Sequence, residues 1–211
     1  MPDRPGAPPR VWQRMLSGRR LDLIDPSPLD VEIADIAHGL GRVARWNGQT
    51  AGAHAYSVAQ HSLLVEAIAG ALQPGLAAAD RLVVLLHDAP EYVVGDLISP
   101  FKAVLGGDYR AIEKRLLAAI HLRFGLPAAA AEPIVRLAKK ADRAAAYLEA
   151  TRLAGFAEGE ARRFFGAPPS AVVAAVIAPR LDDLLDPWQA EDAARRFLER
   201  FEAIAAAARD G

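Results

Sequence analysis

A histidine and an aspartate follow directly on an apolar run in the stretch RLVVLLHDAPEYVVGDL. Leu82 to Leu86 are all apolar, and His87 and Asp88 come immediately after them. Burying a polar group without a partner costs roughly 2–7 kcal/mol, and burying an unpaired charge costs more. A single histidine at the edge of an apolar run is more often a core residue than a metal ligand. The pair of neighbours therefore needs further partners before it predicts a site.

Two more residues of the right kind lie among apolar residues elsewhere in the chain. His61 is in YSVAQHSLLV, 26 residues before His87 (87 − 61), and Asp142 is in VRLAKKADRAAAYLEA, 54 residues after Asp88 (142 − 88). Three predicted helices would then contribute two imidazoles and two carboxylates. This set suits one divalent ion, with Mn, Co, Fe, Ni, Zn and Mg all left open. The chain has no cysteine, so thiolate ligands are excluded.

The order His61, His87, Asp88, Asp142 resembles the HD-domain metal-dependent phosphohydrolase superfamily. The resemblance is strongest to the bacterial 5'-deoxynucleotidase (YfbR-like) group, through HDAPEYVVGDL, IEKRLL and KKADRAAAYLEA, and it covers roughly residues 29–155. It implies an all-α fold, a compact multi-helix bundle with the metal site between helices. It also implies a phosphohydrolase that uses one divalent ion.

Glu91 and Asp96 are the predicted catalytic residues. Glu91 is three residues after Asp88 and four after His87, so on a continuous helix it lies on the same face, one turn along. From there it could orient or deprotonate a water molecule, or protonate the leaving alkoxide. The resemblance places Asp96 against the sugar hydroxyls of a substrate. Glu91 as a solvated residue and Asp96 as a helix cap remain the simpler alternatives.

Three further residues are predicted to bind substrate together with Asp96. Arg45 offers a two-pronged contact to a phosphate group, and Trp46 offers an apolar wall beside it. Lys102, in SPFKAV, is a candidate for closing over the phosphate. Arg45 could instead only cap the end of its own helix.

The leading hypothesis is thus a divalent-metal-dependent 5'-nucleotidase that releases phosphate from (deoxy)nucleoside 5'-monophosphates. One alternative is hydrolysis of another phosphate ester, such as a dNTP, an alarmone or a cyclic dinucleotide. The other is a non-catalytic module that binds metal or nucleotide. The 25 basic and 26 acidic residues give a formal net charge of -1, which argues against a nucleic-acid partner. No apolar run has the ~18 residues of a membrane span, so we expect a cytoplasmic protein, and a homodimer stays open.

The elements that must position these residues are predicted to be helices. Ser27, followed by Pro28, marks the start of a helix that would continue to about Arg45. The other predicted helices span 57–70, 78–94, 108–124, 132–154 and a stretch opening at 186–187, with a short hairpin or extended segment around 10–25. The predicted organisation is a tail and lead-in at 1–28, a core at 29–155 and a C-terminal helical extension at 156–211 that packs on the core.

Overall fold

The computed structural model describes residues 11–97 and 107–210, and within those ranges the chain is all-α apart from one two-stranded hairpin. The all-α prediction is confirmed. Lys102 lies outside the described residues. The strands are β1 (Trp12–Arg14) and β2 (Arg20–Asp22). The helices are α1 (Ile33–Leu40), α2 (Val58–Leu72), α3 (Ala78–Leu85), α4 (Glu91–Val94), α5 (Gly107–Arg123), α6 (Glu132–Arg152), α7 (Glu158–Phe165), α8 (Ala171–Leu184) and α9 (Ala190–Asp210).

The hairpin anchors the start of the described chain to the helices. Its strands pair antiparallel with Gln13 opposite Leu21, and the turn contains Gly18 at φ +87°, a value that favours glycine. Leu21 is fully buried, and Met15 joins the same apolar cluster. The hairpin predicted around residues 10–25 is therefore present.

The first helix differs from the prediction. Ser27 does cap a turn, and its side chain accepts the backbone N–H of Leu29, but this turn is a 3₁₀ segment that ends at Asp30. Val31 is extended and almost fully buried, and its carbonyl accepts a hydrogen bond from Arg123 Nε at 2.8 Å. A tertiary contact thus takes the carbonyl that a continuing helix would have used, and α1 starts afresh at Ile33.

Helix α2 forms the centre of the molecule. Ser57 caps it by accepting the N–H of Gln60, and twelve of its fifteen residues are buried, including His61. A helix that is apolar nearly all round is expected at the middle of a core. The predicted helix at 57–70 is confirmed, with two more residues at its C-terminal end.

The predicted helix at 78–94 is broken where the candidate ligands lie. Helix α3 ends at Leu85, and residues 86–90 form turns before α4 begins at Glu91. Pro90 has no N–H with which to bond the carbonyl of Leu86, and that carbonyl instead accepts the N–H of Ala89 at 3.0 Å. The bonds then run three residues apart, and the prediction that His87 and Asp88 lie on a helix was wrong.

The helices after residue 155 share the main apolar cluster with the earlier ones. Phe197 is fully buried and Phe201 nearly so, and both contribute to the cluster that contains the core of α2. The side-chain amide of Gln60 donates to the carbonyls of Leu184 and Asp186, at 3.0 and 2.6 Å. The connection between α8 and α9 is therefore fastened to the first turn of α2.

Helices α7 and α8 were not predicted as elements. Residues 166–170 separate them, and the side chain of Ser170 caps α8 by accepting the N–H of Val173. The last predicted helix begins at Ala190, three residues after Pro187. None of the helices in the described ranges is long and apolar enough to cross a membrane.

Candidate metal centre

Two histidines and one aspartate converge where α2 meets the turn after α3. One ligand atom from each of His61, His87 and Asp88 lies within 4.8 Å of the other two. The Oδ2 atom of Asp88 is 3.2 Å from Nε2 of His87 and 3.5 Å from Nε2 of His61. These separations suit side chains that face one small ion.

The other ring nitrogen of each histidine is already engaged. Nδ1 of His61 lies 2.5 Å from a carboxylate oxygen of Glu149, and Nδ1 of His87 lies 2.9 Å from the carbonyl oxygen of Val84. Both partners accept hydrogen bonds, so Nδ1 of each ring carries a proton, and when the ring is neutral its Nε2 presents a lone pair to the centre. This tautomer is the one that a metal-ligating imidazole requires.

Both Nε2 atoms are buried, and no hydrogen-bond partner for either is found among the residues that the structure describes. Buried polar atoms are normally satisfied, and two such atoms facing one carboxylate need a common partner. A divalent ion bound to both nitrogens and to Asp88 would satisfy them. The residues present therefore fit a metal ion, although this fit does not specify which one.

Asp142, on α6, also lies close to His61. Its Oδ1 atom is 3.3 Å from Nε2 of His61, and its side chain is 40% exposed. It lies outside the trio whose ligand atoms are all within reach of one another. The structure thus brings all four predicted ligands to one place and makes Asp142 the most solvent-accessible of them.

The charges at the centre favour a cation. Burial and Arg45 lower the pKa of His61, but Glu149, Asp142 and Asp88 outweigh them and raise it well above its usual range. Burial raises the pKa of Asp88, but His87 and His61 lower it well below its usual range. The carboxylates that hold a proton on His61 would equally attract a divalent ion, with which that proton competes.

Glu149 is a central residue that the sequence reasoning missed. Its side chain is fully buried, and it accepts hydrogen bonds from Nε1 of Trp46 at 2.9 Å and Nη2 of Arg45 at 3.3 Å, in addition to its contact with His61. Burial by itself would raise the pKa of Glu149. His61 and Arg45 outweigh this effect, so the pKa falls from its ordinary value of 4.5 to about 2. A signal was available, since Glu149 is seven residues after Asp142 and interrupts an apolar face.

Arg45 and Trp46 reach the centre because their segment is bonded to the start of α2. The N–H of Arg45 donates to the carbonyl of Tyr56 at 2.8 Å, and the N–H of Val58 donates to that of Val43 at 3.0 Å. Trp46 has φ 57°, a left-handed conformation that costs a non-glycine residue roughly 1–3 kcal/mol. Its bond to Glu149 and its ring contact with Phe156, at 5.7 Å between centroids, hold it there.

Arg45 is bound by carboxylates on two sides. Its Nη1 atom is 3.2 Å from Oδ2 of Asp96, while Nη2 contacts Glu149. The side chains of Arg45 and Asp96 are 14% and 7% exposed. The two predicted substrate contacts are therefore paired with each other, and Glu149 joins Arg45 to His61; their roles toward a substrate stay predictions.

Glu91 lies at the first position of α4 and is 2% exposed. Its N–H donates to the carbonyl of Asp88 at 3.0 Å, so it comes one 3₁₀ turn after that ligand. The continuous helical face that sequence reasoning used for this placement is absent. The turn nevertheless keeps Glu91 next to the centre in the chain and within the protein interior.

The comparisons with known proteins name relatives without naming an activity. No family model matches the chain. It is 60% identical to "Uncharacterized protein RCAP_rcc00048" of Rhodobacter capsulatus over 164 residues, 78% of this chain and 84% of that protein. It is also 35% identical to "Uncharacterized protein YfdR" of Escherichia coli over 105 residues, 50% of this chain and 53% of YfdR. At this extent of identity and coverage, the chain belongs to the same family as RCAP_rcc00048.

Proposed function

We propose that the protein is a divalent-metal-dependent phosphohydrolase, a 5'-nucleotidase that releases phosphate from (deoxy)nucleoside 5'-monophosphates. The observation that supports it most is the pair of buried Nε2 atoms of His61 and His87, which face Asp88 without hydrogen-bond partners. A structural metal site normally closes with four protein ligands. Here the trio is compact and the fourth candidate is partly exposed, which leaves room for water and substrate.

The proposed chemistry needs a bound ion and an acid–base group. When bound, a divalent ion would supply Lewis acidity toward a phosphoryl oxygen and acidify water near neutral pH. Glu91 would orient or deprotonate the attacking water, or protonate the leaving alkoxide. Glu91 is 2% exposed, so it would act inside the protein, away from bulk water.

In this proposal Arg45 and Asp96 act on the substrate in turn. Nη1 of Arg45 is 3.2 Å from Asp96, so a phosphate that binds this nitrogen would take the place of that carboxylate. Asp96 would then be free to accept a hydrogen bond from a sugar hydroxyl. Trp46, already fixed by Glu149 and Phe156, would supply the apolar wall.

The test is phosphate release from deoxy- and ribonucleoside 5'-monophosphates by chelator-stripped protein, with Mn, Co, Fe, Ni, Zn and Mg added separately. We expect metal-dependent release that favours the deoxy series. The Asp88→Ala variant is the control, because it removes a ligand and should be inactive with every metal. Equal release by that variant would refute the metal mechanism.

The same assay separates the alternatives. If the protein releases no phosphate from monophosphates but hydrolyses a dNTP, an alarmone or a cyclic dinucleotide, the proposed reaction class is kept and the proposed substrate changes. Tight metal binding without any release would favour a binding module, and it would contradict the catalytic role of Glu91.

A further inference from the structure

A groove of about 660 Å³ lies between α2, α6 and the segment that joins α7 to α8. Its volume is in the range that holds a nucleotide-sized ligand. Ile68 and Leu72 contribute from α2, seven and eleven residues beyond His61, which corresponds to about 10–16 Å along the helix. On α2 the groove is thus displaced from the metal centre, and on α6 its lining residue Arg143 directly follows Asp142, which does not itself line it.

One wall of the groove is a row of cations on α6. Arg136, Lys139, Lys140 and Arg143 all line it, and they follow one another at helical spacing along about 10 Å of the axis. Arg136 has an ion pair with Glu132 at 3.3 Å. For the other three, the described part of the chain supplies no ion-pair partner.

The remaining walls carry no compensating negative charge. None of the described residues that line the groove is acidic, and the opposite side is apolar, with Phe165, Pro168 and Val173. Ser170, the cap of α8, also lines it, so the positive end of that helix dipole adds to the field of the cations. Like charges this close repel one another, and a net charge of -1 for the whole chain makes their segregation here notable.

We propose that this groove binds a small polyphosphate that carries an apolar group, of the nucleoside-triphosphate class. The cation row is too long for one phosphate to contact throughout, whereas a chain of three phosphates can follow it. The apolar side offers a surface on which a base can lie. A duplex or long single strand would need a longer basic track than four residues on one helix.

The proposal is tested by titrating the full-length protein with ATP in the presence of EDTA, so that no metal can bridge ATP to the centre. Replacing two exposed cations in Lys139→Ala/Lys140→Ala should weaken binding about tenfold or more. The matched control is Lys114→Ala/Arg115→Ala, which removes two exposed charges from α5, outside the groove, and should change affinity less than about twofold.

Four further binding measurements identify where ATP binds and which parts of it are recognised. Asp88→Ala, in the metal centre, should bind ATP as the wild type does, and this result does not depend on whether the centre is catalytic. Inorganic tripolyphosphate should bind more weakly than ATP, adenosine should not bind detectably, and a single-stranded DNA oligonucleotide should bind more weakly than ATP.

Several results would overturn the proposal. They are the absence of ATP binding by the wild type, equal losses in the two double variants, and loss of binding in Asp88→Ala. If the oligonucleotide binds more tightly than ATP, and Lys139→Ala/Lys140→Ala abolishes this binding, the ligand of the groove is a nucleic acid and the proposal is wrong.

Discussion

The Glu149→Gln variant tests whether a buried carboxylate sets up the metal centre. Three donors converge on Glu149: Nδ1 of His61, Nε1 of Trp46 and Nη2 of Arg45. Glutamine has nearly the same shape but only one side-chain oxygen, and its amide adds two donors. In at least one of the three contacts, two hydrogen-bond donors would then face each other. Arg45 would also lose a charged partner.

The size of the effect follows from the pKa. The carboxyl group titrates at about 2 in the folded protein, compared with 4.5 for the ordinary group. That difference corresponds to about 3 kcal/mol of folding free energy. Because the folded pKa is the lower one, the contribution is complete above pH 4.5 and is lost as the pH falls toward 2. At pH 7 the variant should therefore lose about 3 kcal/mol of unfolding free energy.

Metal affinity should fall as well, because His61 loses the acceptor that fixes its tautomer and ring orientation. Loss of such a partner typically weakens metal binding by about 10–100-fold. The assay is competition for Mn²⁺ or Zn²⁺ with a chromophoric chelator at pH 7, in parallel with urea unfolding of the same metal-free samples.

Glu66→Gln is the matched control. Glu66 is also a buried carboxylate on this fold, bonded by Arg81 Nε at 2.6 Å and by Arg200 Nε at 3.0 Å, but it has no contact with the metal ligands. It should lower stability while changing metal affinity less than about twofold. A folded Glu149→Gln protein with wild-type metal affinity would refute the assignment of Glu149 as the residue that positions His61.

Three other changes probe the centre and the packing around it. Glu91→Ala should keep wild-type metal affinity and lose most turnover, whereas Asp88→Ala should lose both. Metal content and phosphate release are measured on the same samples, and loss of metal in Glu91→Ala would contradict the assignment. Gly39→Ala places a Cβ 2.8 Å from Cβ of Tyr92, the neighbour of Glu91, and should cost about 1–3 kcal/mol in urea unfolding, with no loss if α4 can shift freely. Burial lowers the pKa of His121, so its contribution to stability should be lost as the pH falls below 6.5. Between pH 6.5 and 5.5 the wild type should therefore lose more unfolding free energy than His121→Gln does, and equal changes in the two proteins would contradict this.

The four metal-ligand candidates could be found in the sequence because their residue types and their order along the chain match a metal-site pattern, and the structure brings them together. The extent of α2 also followed from its cap at Ser57 and its apolar pattern. The break after Leu85 could be anticipated only as a kink at Pro90, since the sequence does not show which carbonyls the freed donors will choose.

Contacts between segments that are distant in the chain could not be predicted from the sequence. Arg45 and Asp96 are 51 residues apart, and nothing in either local pattern indicates that they pair. The extended backbone at Val31 likewise depends on Arg123, which is 92 residues away. Glu149 is different. Its position two helical turns after Asp142 could be inferred from the sequence, whereas its three hydrogen-bond partners could not.

The bonds made by Gln60 bear on where this chain can be cut. Gln60 is the neighbour of His61, and its buried amide depends on the carbonyls of Leu184 and Asp186. Each donor or acceptor left unsatisfied in the interior costs about 1–3 kcal/mol. A protease that nicks the α8–α9 connection would therefore damage the neighbourhood of His61 without touching a ligand. For the same reason, a fragment prepared for expression should retain the chain through α9 if it is to bind metal.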